Sequence, residues 1–232
     1  MNNPVFSQRR FSTLADAAMA ARLADDKTLS VIAQLVLVLA GSALLALSAQ
    51  ISVPFYPVPV TGQTLVVLMI GMAYGSRLGA ATLLAYLVEG GMGLPVFANG
   101  GAGWAYLAGP TGGYLIGFLV AAFILGFLAE RGMGRGPIST ALAMLVGTAI
   151  IYVFGVTHLS GFIGFEKSIA AGLLPFLYGD ALKLIVAAGL MPLAWRAVRA
   201  LAVGMLSKER MPSKDGMSST RSPGSDPHRL VC

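Results

Sequence analysis

Two oppositely charged side chains lie within an apolar segment near the carboxyl end of the chain. The stretch LLPFLYGDALKLIVAAGLMPLAW, residues 173–195, contains Asp180 and Lys183, three positions apart. On a helix this spacing puts both on one face, where a carboxylate accepts hydrogen bonds from N–H groups and an ammonium binds a carboxylate. One interpretation is an intrahelical ion pair. The other is a binding site for a small solute with both N–H donors and a carboxylate.

Several uncharged polar residues are further candidates for solute binding, each with a structural alternative. Asn99 lies among glycines, which let the backbone approach closely, and it either binds a solute or satisfies its own turn. Gln63 and Thr61 either contact a solute or cap the next helix. Aromatic side chains are expected as walls of a pocket or as anchors at the membrane interface; they are Tyr56, Trp104, Tyr106 and Tyr114.

Known catalytic and nucleotide-binding patterns are missing from the sequence. There is no G-x-x-x-x-G-K-[ST], no G-x-S-x-G and no H-E-x-x-H, which argues against a P-loop ATPase, an esterase-type nucleophile and a zinc protease. His158 has no second histidine or carboxylate at metal-ligand spacing, and Cys232 is the single cysteine. Glu89 is expected at an interface. The sequence therefore predicts no enzyme, no cofactor and no metal site.

The composition predicts an integral membrane protein. Hydrophobic residues make up 56% of the 232 residues and charged residues only 11%, against about 25% in soluble domains. The formal net charge of +6 comes from Lys and Arg residues that cluster between apolar segments and in the tails. Such placement orients a membrane protein, and we expect no binding to nucleic acid.

Breaks in the apolar sequence predict six transmembrane helices and an all-α fold. Residues 28–76 contain no Asp, Glu, Lys or Arg, and the three prolines of SVPFYPVPVTGQ divide them into two helices. A glycine-rich block at 90–113 separates helix 3 from helix 4. The predicted helices are 29–50, 62–75, 78–90, 112–130, 139–157 and 174–203, with a short interfacial helix before the last. Helices 2 and 3 are short, so we expect the outer loops 52–61 and 90–113 to dip toward a central pocket.

The positions of the basic residues predict the orientation. All Lys and Arg residues except Lys167 and Lys183 lie in the tails, the 2–3 and 4–5 turns, or the adjoining helix ends. The positive-inside rule then puts both termini in the cytoplasm. The predicted organisation is a cytoplasmic N-terminal segment at 1–27, a membrane domain at 28–203 and a disordered cytoplasmic tail at 204–232.

Three motifs resemble the BioY biotin transporters, the substrate-capture (S) components of energy-coupling-factor transporters. They are VPVTGQTLVVLMIGMAYGSRLGA, GGMGLPVFANGGAGWAYLAGPTGGYLIGF and YGDALKL. The resemblance covers residues 28–203 and leaves both tails unmatched. It implies a six-helix fold with a vitamin pocket near the outer face, in a bacterial inner membrane.

The resemblance also implies roles for individual residues and for partners. Asn99, Asp180 and Lys183 match the positions that contact biotin, and Tyr56, Tyr106, Tyr114 and Gln63 are expected around it. The partners would be a transmembrane coupling protein and ATP-binding-cassette ATPases. The family usually has an A-x-x-x-A contact motif in helix 1, and the nearest spacing here is Ser42-x-x-x-Ala46. The alternatives are an S component for another vitamin and a solitary ion-coupled carrier.

Overall fold

The computed structural model describes residues 13–16 and 27–209, with side chains described as far as residue 197. Most of this part of the chain is helical. The helices are α1 (Lys27–Gln50), α2 (Gln63–Tyr74), α3 (Ser76–Gly91), α4 (Trp104–Ala108), α5 (Gly112–Glu130), α6 (Pro137–Ile163), α7 (Phe165–Gly172) and α8 (Leu174–Glu209). Strands β1 (Ser52–Val53) and β2 (Val60–Thr61) form an antiparallel hairpin between α1 and α2, and a 3-10 turn covers Ala98–Gly100.

Within the residues that the structure describes, four helical stretches are long and apolar enough to cross a membrane. They are Thr28–Gln50, Gly112–Glu130, Pro137–Ile163 and Phe165–Ala197. Helix α2 is apolar but has only 12 residues, which at 1.5 Å per residue span about 18 Å of a hydrocarbon core of about 30 Å. Helix α3, with 16 residues, is also shorter than a full span. The fold is thus mostly helical with four candidate membrane helices, and the two shorter helices lie where the sequence predicts them.

The helix ends differ from the expected ones in the second half of the chain. Helix α6 ends at Ile163. The residue that follows, Gly164, has a φ of 82°, a conformation that glycine adopts readily. His158, which directly follows the predicted helix end at residue 157, therefore lies on α6. The expected short helix before the last span is α7. The backbone of α8 continues to Glu209, and the rest of the expected tail lies outside the described residues, as does most of the segment before Lys27.

The described residues as far as Val198 belong to one compact unit, and those from Arg199 onward belong to a second. The core of the first is centred on α5, where small residues let neighbouring helices approach closely. A Cβ on Gly71 of α2 would lie 2.8 Å from the carbonyl oxygen of Ala122 in α5. A Cβ on Gly117 would lie 3.0 Å from the Cα of Ile151 in α6. These glycines set the separations of α2 and α6 from α5.

The last residue of α5 stabilises the first turn of α3. The Glu130 carboxylate accepts hydrogen bonds from the backbone N–H of Ser76 at 2.7 Å and from the Ser76 hydroxyl at 2.8 Å. The first N–H groups of a helix lack intrahelical partners, and a negative charge there is favoured by the helix dipole. This contact fixes the sharp turn between α2 and α3, where Gly75 has a φ of 85°.

Replacement of Glu130 by alanine is expected to destabilise the protein by about 1–2 kcal/mol, the usual loss when a helix N-terminal acceptor is removed. Glu130→Gln keeps an oxygen acceptor without the charge, so we expect a smaller loss. Thermal unfolding of the purified protein in detergent measures both. Glu166→Ala removes an exposed carboxylate from the first turn of α7 and serves as the control. A melting temperature of Glu130→Ala equal to that of the parent would contradict the assignment.

Candidate functional site

The charged pair lies on α8 and faces into the helix bundle. The Lys183 ammonium is 3.1 Å from Asp180 Oδ1. Asp180 is buried, with a side-chain exposure of 8%, and that of Lys183 is 17%. Burial of this kind costs free energy unless both charges find partners. Asp180 and Lys183 therefore need further hydrogen bonds from neighbouring elements.

Lys183 uses all three of its ammonium hydrogens. Besides Asp180, it donates to the backbone carbonyl of Thr61 at 2.9 Å and to the Thr64 hydroxyl at 2.6 Å. Thr61 belongs to β2 and Thr64 to the first turn of α2. One side chain therefore joins α8 to the hairpin and to α2.

Asp180 accepts hydrogen bonds at both carboxylate oxygens. The Tyr152 hydroxyl, on α6, donates to Oδ2. The Thr64 hydroxyl lies 3.4 Å from Oδ1, the oxygen that also contacts Lys183. The pair is thus the centre of a network that joins α2, α6 and α8 and leaves neither charge without a partner.

A small cavity borders this network. Its volume is about 30 Å³, room for about two water molecules, whereas small-molecule pockets are typically about 300–1,000 Å³. The polar lining comes from Thr61, Gln63, Thr64, Thr111, Tyr152 and Lys183; the rest is formed by Val58, Pro59, Ala98, Tyr114, Phe118, Ile151 and Phe176. The hairpin region and α2 form one side, and α5, α6 and α8 form the other.

Two of the expected binding residues line the cavity beside Lys183. Gln63 is buried and donates to the Tyr86 hydroxyl at 2.6 Å, and Tyr86 donates to the carbonyl of Val96 at 3.0 Å. Tyr114 stacks on Phe176, with ring centroids 6.3 Å apart. Its hydroxyl donates to the Gly172 carbonyl at 2.7 Å. Gln63 therefore connects the cavity to the glycine-rich loop, and Tyr114 is an apolar wall whose polar end is already paired.

Four of the expected residues do not line the cavity. Asp180 lies next to it, bonded to the lining residues Lys183 and Tyr152, and the other three are in loops. Asn99 has a φ of 57°, and its side-chain oxygen accepts a hydrogen bond from the Ser52 hydroxyl at 2.8 Å. It follows Ala98, which does line the cavity. Tyr106 stacks on Phe97 at 5.0 Å, and the side chain of Tyr56 is 90% exposed. These three residues lie in the loops 52–61 and 90–113.

The remaining polar candidates have partners elsewhere in the bundle. The Ser42 hydroxyl of α1 donates to the carboxylate of Glu89 on α3. The Nε2 atom of His158 lies 3.1 Å from the Gly109 carbonyl. Among the residues described, no cluster of three His, Cys, Asp or Glu side chains could hold a metal ion.

Comparison with known proteins identifies the family of this chain. Residues 18–200 match the BioY family. The chain belongs to the BioY family. A probable biotin transporter BioY of Pyrococcus horikoshii is 42% identical over 141 residues, which cover 61% of this chain and 83% of that protein. The biotin transporter BioY of Thermotoga maritima is 41% identical over 149 residues, 63% of this chain and 86% of that protein.

A solved structure shares the fold of this BioY-family chain. It is the crystal structure of the S-component for biotin from an ECF-type ABC transporter, with a TM-score of 0.66 and 26% sequence identity. The match covers 74% of this chain and 94% of that one. The chain is accordingly a membrane protein of a transporter family, and the resemblance drawn from its motifs is confirmed.

Sequence reasoning missed two members of the Asp180 network in this BioY-family chain. Thr64 follows Gln63 and resembles any polar residue at a helix start. Tyr152 lies in the apolar stretch of α6 and resembles an interfacial or core tyrosine. A hydroxyl at membrane depth needs a partner, and this need was the one available signal for Tyr152. The partner itself lies 28 positions away, which no local pattern reveals.

The residues expected to contact a coupling protein lie on the face of α1 that turns toward α3. Ser42 is buried, and its hydroxyl is bonded to Glu89. Ala46 is partly buried against the core. The neighbouring residue Gly41 packs closely as well, since a Cβ there would lie 2.6 Å from the methyl of Thr82. At these positions α1 packs within the chain, and contact with a partner remains a prediction.

Proposed function

We propose that this protein takes up biotin as the substrate-binding S component of an energy-coupling-factor transporter. The observation that carries the proposal is the Asp180–Lys183 pair, whose Lys183 lines a cavity, in a chain of the BioY family. The curated relatives are named as biotin transporters, and the solved relative is an S-component for biotin. The protein is a transporter component rather than an enzyme.

The chemistry of biotin matches the groups around the cavity. Its ureido ring has two N–H donors and a carbonyl, and its valerate chain ends in a carboxylate. We assign Asp180 to a ureido N–H and Lys183 to a carbonyl or carboxylate oxygen, because a carboxylate only accepts and an ammonium only donates. The Gln63 and Asn99 side chains can both donate and accept hydrogen bonds. Tyr114 would pack against the apolar part of biotin. Tyr56 and Tyr106 would contact biotin from the outer loops.

Binding requires both an exchange of partners and a larger cavity. The three hydrogens of the Lys183 ammonium are already used, so a ligand oxygen must replace one acceptor. The Thr61 carbonyl is the acceptor contributed by the hairpin region, whose Val58, Pro59 and Thr61 also line the cavity. We therefore propose that loop 52–61 moves outward to admit biotin, and that the loop 90–113 carrying Asn99 completes the pocket.

In the membrane we propose six crossings, with α2 and α3 as the two short ones. The domain would span residues 28–203, between a cytoplasmic segment at 1–27 and a cytoplasmic tail at 204–232. The concentration of Lys and Arg on one side supports this orientation. A bacterial inner membrane is the expected location.

The proposed partners supply energy that this chain does not. A transmembrane coupling protein and ABC-type ATPases would act with it, because the solved relative is the S-component of an ECF-type ABC transporter. Such partners are consistent with the lack of a P-loop in this sequence. Ser42 and Ala46 on α1 are the residues proposed to approach the coupling protein.

Equilibrium binding of radiolabelled biotin to the purified full-length protein in detergent tests the proposal. We expect saturable binding of one biotin per chain, displaced by unlabelled biotin. The same preparation, checked for folding by thermal unfolding, is then titrated with thiamine and riboflavin as controls. Absence of biotin binding by a folded preparation would refute the assignment, and preferential binding of another vitamin would redirect it within the same fold.

A further inference from the structure

Tyr152 contacts the proposed binding site through Asp180. It lies on α6 and is 8% exposed, and its hydroxyl donates to Asp180 Oδ2. Its neighbour Ile151 and Tyr152 itself both line the cavity. The ring therefore packs in the wall, while the hydroxyl is directed at the charged pair.

The two oxygens of Asp180 have separate sets of donors. Oδ1 contacts Lys183 at 3.1 Å and the Thr64 hydroxyl at 3.4 Å, whereas Oδ2 is bonded to Tyr152. Tyr152 is the donor on α6, a different helix from the one that carries the pair. The carboxylate thus has one donor that is independent of Lys183 and of α2.

The separate donor on Oδ2 becomes important when Lys183 turns toward a ligand oxygen. Leaving a buried carboxylate without partners carries a large desolvation penalty. A donor that stays on Oδ2 holds the carboxylate in place and charged while Lys183 exchanges partners. A fixed, charged acceptor favours N–H donors, and the ureido group of biotin offers two.

We propose that Tyr152 is a positioning residue for ligand recognition: it orients the Asp180 carboxylate so that a free acceptor position faces a ureido N–H. This inference rests on the proposed function, because it names the residue that sets the selectivity of the same site. The hydroxyl acts through Asp180 and does not itself touch the ligand.

The test compares biotin with two analogues, each methylated at one of the two ureido nitrogens, by competition against labelled biotin. Tyr152→Phe removes the hydroxyl and keeps the ring. A hydrogen bond to a charged group changes binding affinity by about ten- to a hundredfold. We expect Tyr152→Phe to lower the affinity for biotin by such a factor. The analogue methylated at the nitrogen facing Asp180 has already lost that contact. In Tyr152→Phe the affinity for this analogue should fall much less. The variant should therefore prefer biotin over this analogue by a smaller factor than the parent does.

Tyr178→Phe is the matched control, since it also removes a tyrosine hydroxyl, in this case from α8 two residues before Asp180. Tyr178 is 87% exposed, and its variant should bind biotin and both analogues as the parent does. An equal loss of affinity for biotin and both analogues in Tyr152→Phe would show a general packing role and overturn the inference. Unchanged affinity for biotin would overturn it as well.

A second variant covers the case in which Tyr152→Phe does not fold. Site-specific 3,5-difluorotyrosine at position 152 keeps the ring and the hydroxyl and makes the latter a stronger donor. We expect it to change the affinity for biotin several-fold more than that for the analogue methylated at the facing nitrogen. Identical affinities of this variant and the parent for all three ligands would refute the inference. Failure of the parent itself to bind biotin would instead refute the proposed function.

Discussion

Replacement of Lys183 by methionine is expected to abolish tight biotin binding and to destabilise the protein. The variant keeps the length of the side chain but leaves the buried carboxylate of Asp180 with only the Tyr152 and Thr64 hydroxyls. Breaking a buried charge pair by removing one partner costs about 3–5 kcal/mol. Biotin would also lose its charged donor, so we expect its affinity to fall by about a hundredfold or more. Thermal unfolding and equilibrium binding of labelled biotin measure the two effects.

The double variant Asp180→Asn with Lys183→Met separates stability from recognition. Without either charge the desolvation penalty disappears, so the double variant should be more stable than Lys183→Met alone. It should still fail to bind biotin. Lys167→Met, at an exposed lysine on α7, is the control and should change neither quantity. Parent-like binding by Lys183→Met would mean that the pair only holds the helices together.

Substitution of Gly71 is expected to disrupt the packing of α2 on α5. A Cβ at this position would lie 2.8 Å from the carbonyl oxygen and 2.9 Å from the Cα of Ala122. Both are backbone atoms of a central helix, so relief requires the two helices to separate. Overpacking typically costs about 1–3 kcal/mol. We expect Gly71→Ala to reach the upper end of this range and Gly71→Val to prevent folding.

The melting temperature and the yield of monodisperse protein in detergent measure the effect. Gly189→Ala and Gly189→Val are matched controls in α8, because a Cβ there would meet no atom within 4 Å. Both controls should fold as the parent does. A Gly71→Val variant with parent-like yield and melting temperature would show that α2 and α5 can move apart at little cost.

Membrane character and most helix boundaries could be predicted because their causes are local. A deficit of charge, three prolines between α1 and α2 and a glycine-rich block after α3 each act on the residues that carry them. Helix α5 begins and ends at 112 and 130 as expected. The end of α6 could not be placed, because a polar residue such as His158 is typical of a loop that follows an apolar helix. The helix continues past His158 to Ile163, and the His158 side chain bonds to Gly109 in a loop.

The candidate site was predictable only in part. Two charges in an apolar helix pointed to Asp180 and Lys183, since such residues are rare in membrane segments. Their neighbours were not predictable: Thr61 lies 122 positions from Lys183 and Thr64 lies 119 positions away. The motif around Asn99 marked the glycine-rich loop, but its side chain bonds to Ser52, a contact across 47 positions that no local pattern shows.

The sequence by itself determined that the chain enters a membrane, where most of its helices break and which two charges lie in the apolar segment 173–195. These are properties of residue type and spacing along one segment. The tertiary structure decided that Tyr152 and Thr64 complete the Asp180–Lys183 network, that Gln63 and Tyr114 line the cavity, and that Ser42 pairs with Glu89. Those contacts join helices distant in the chain, and they form because a buried polar group must find its partner in whichever helix packs beside it.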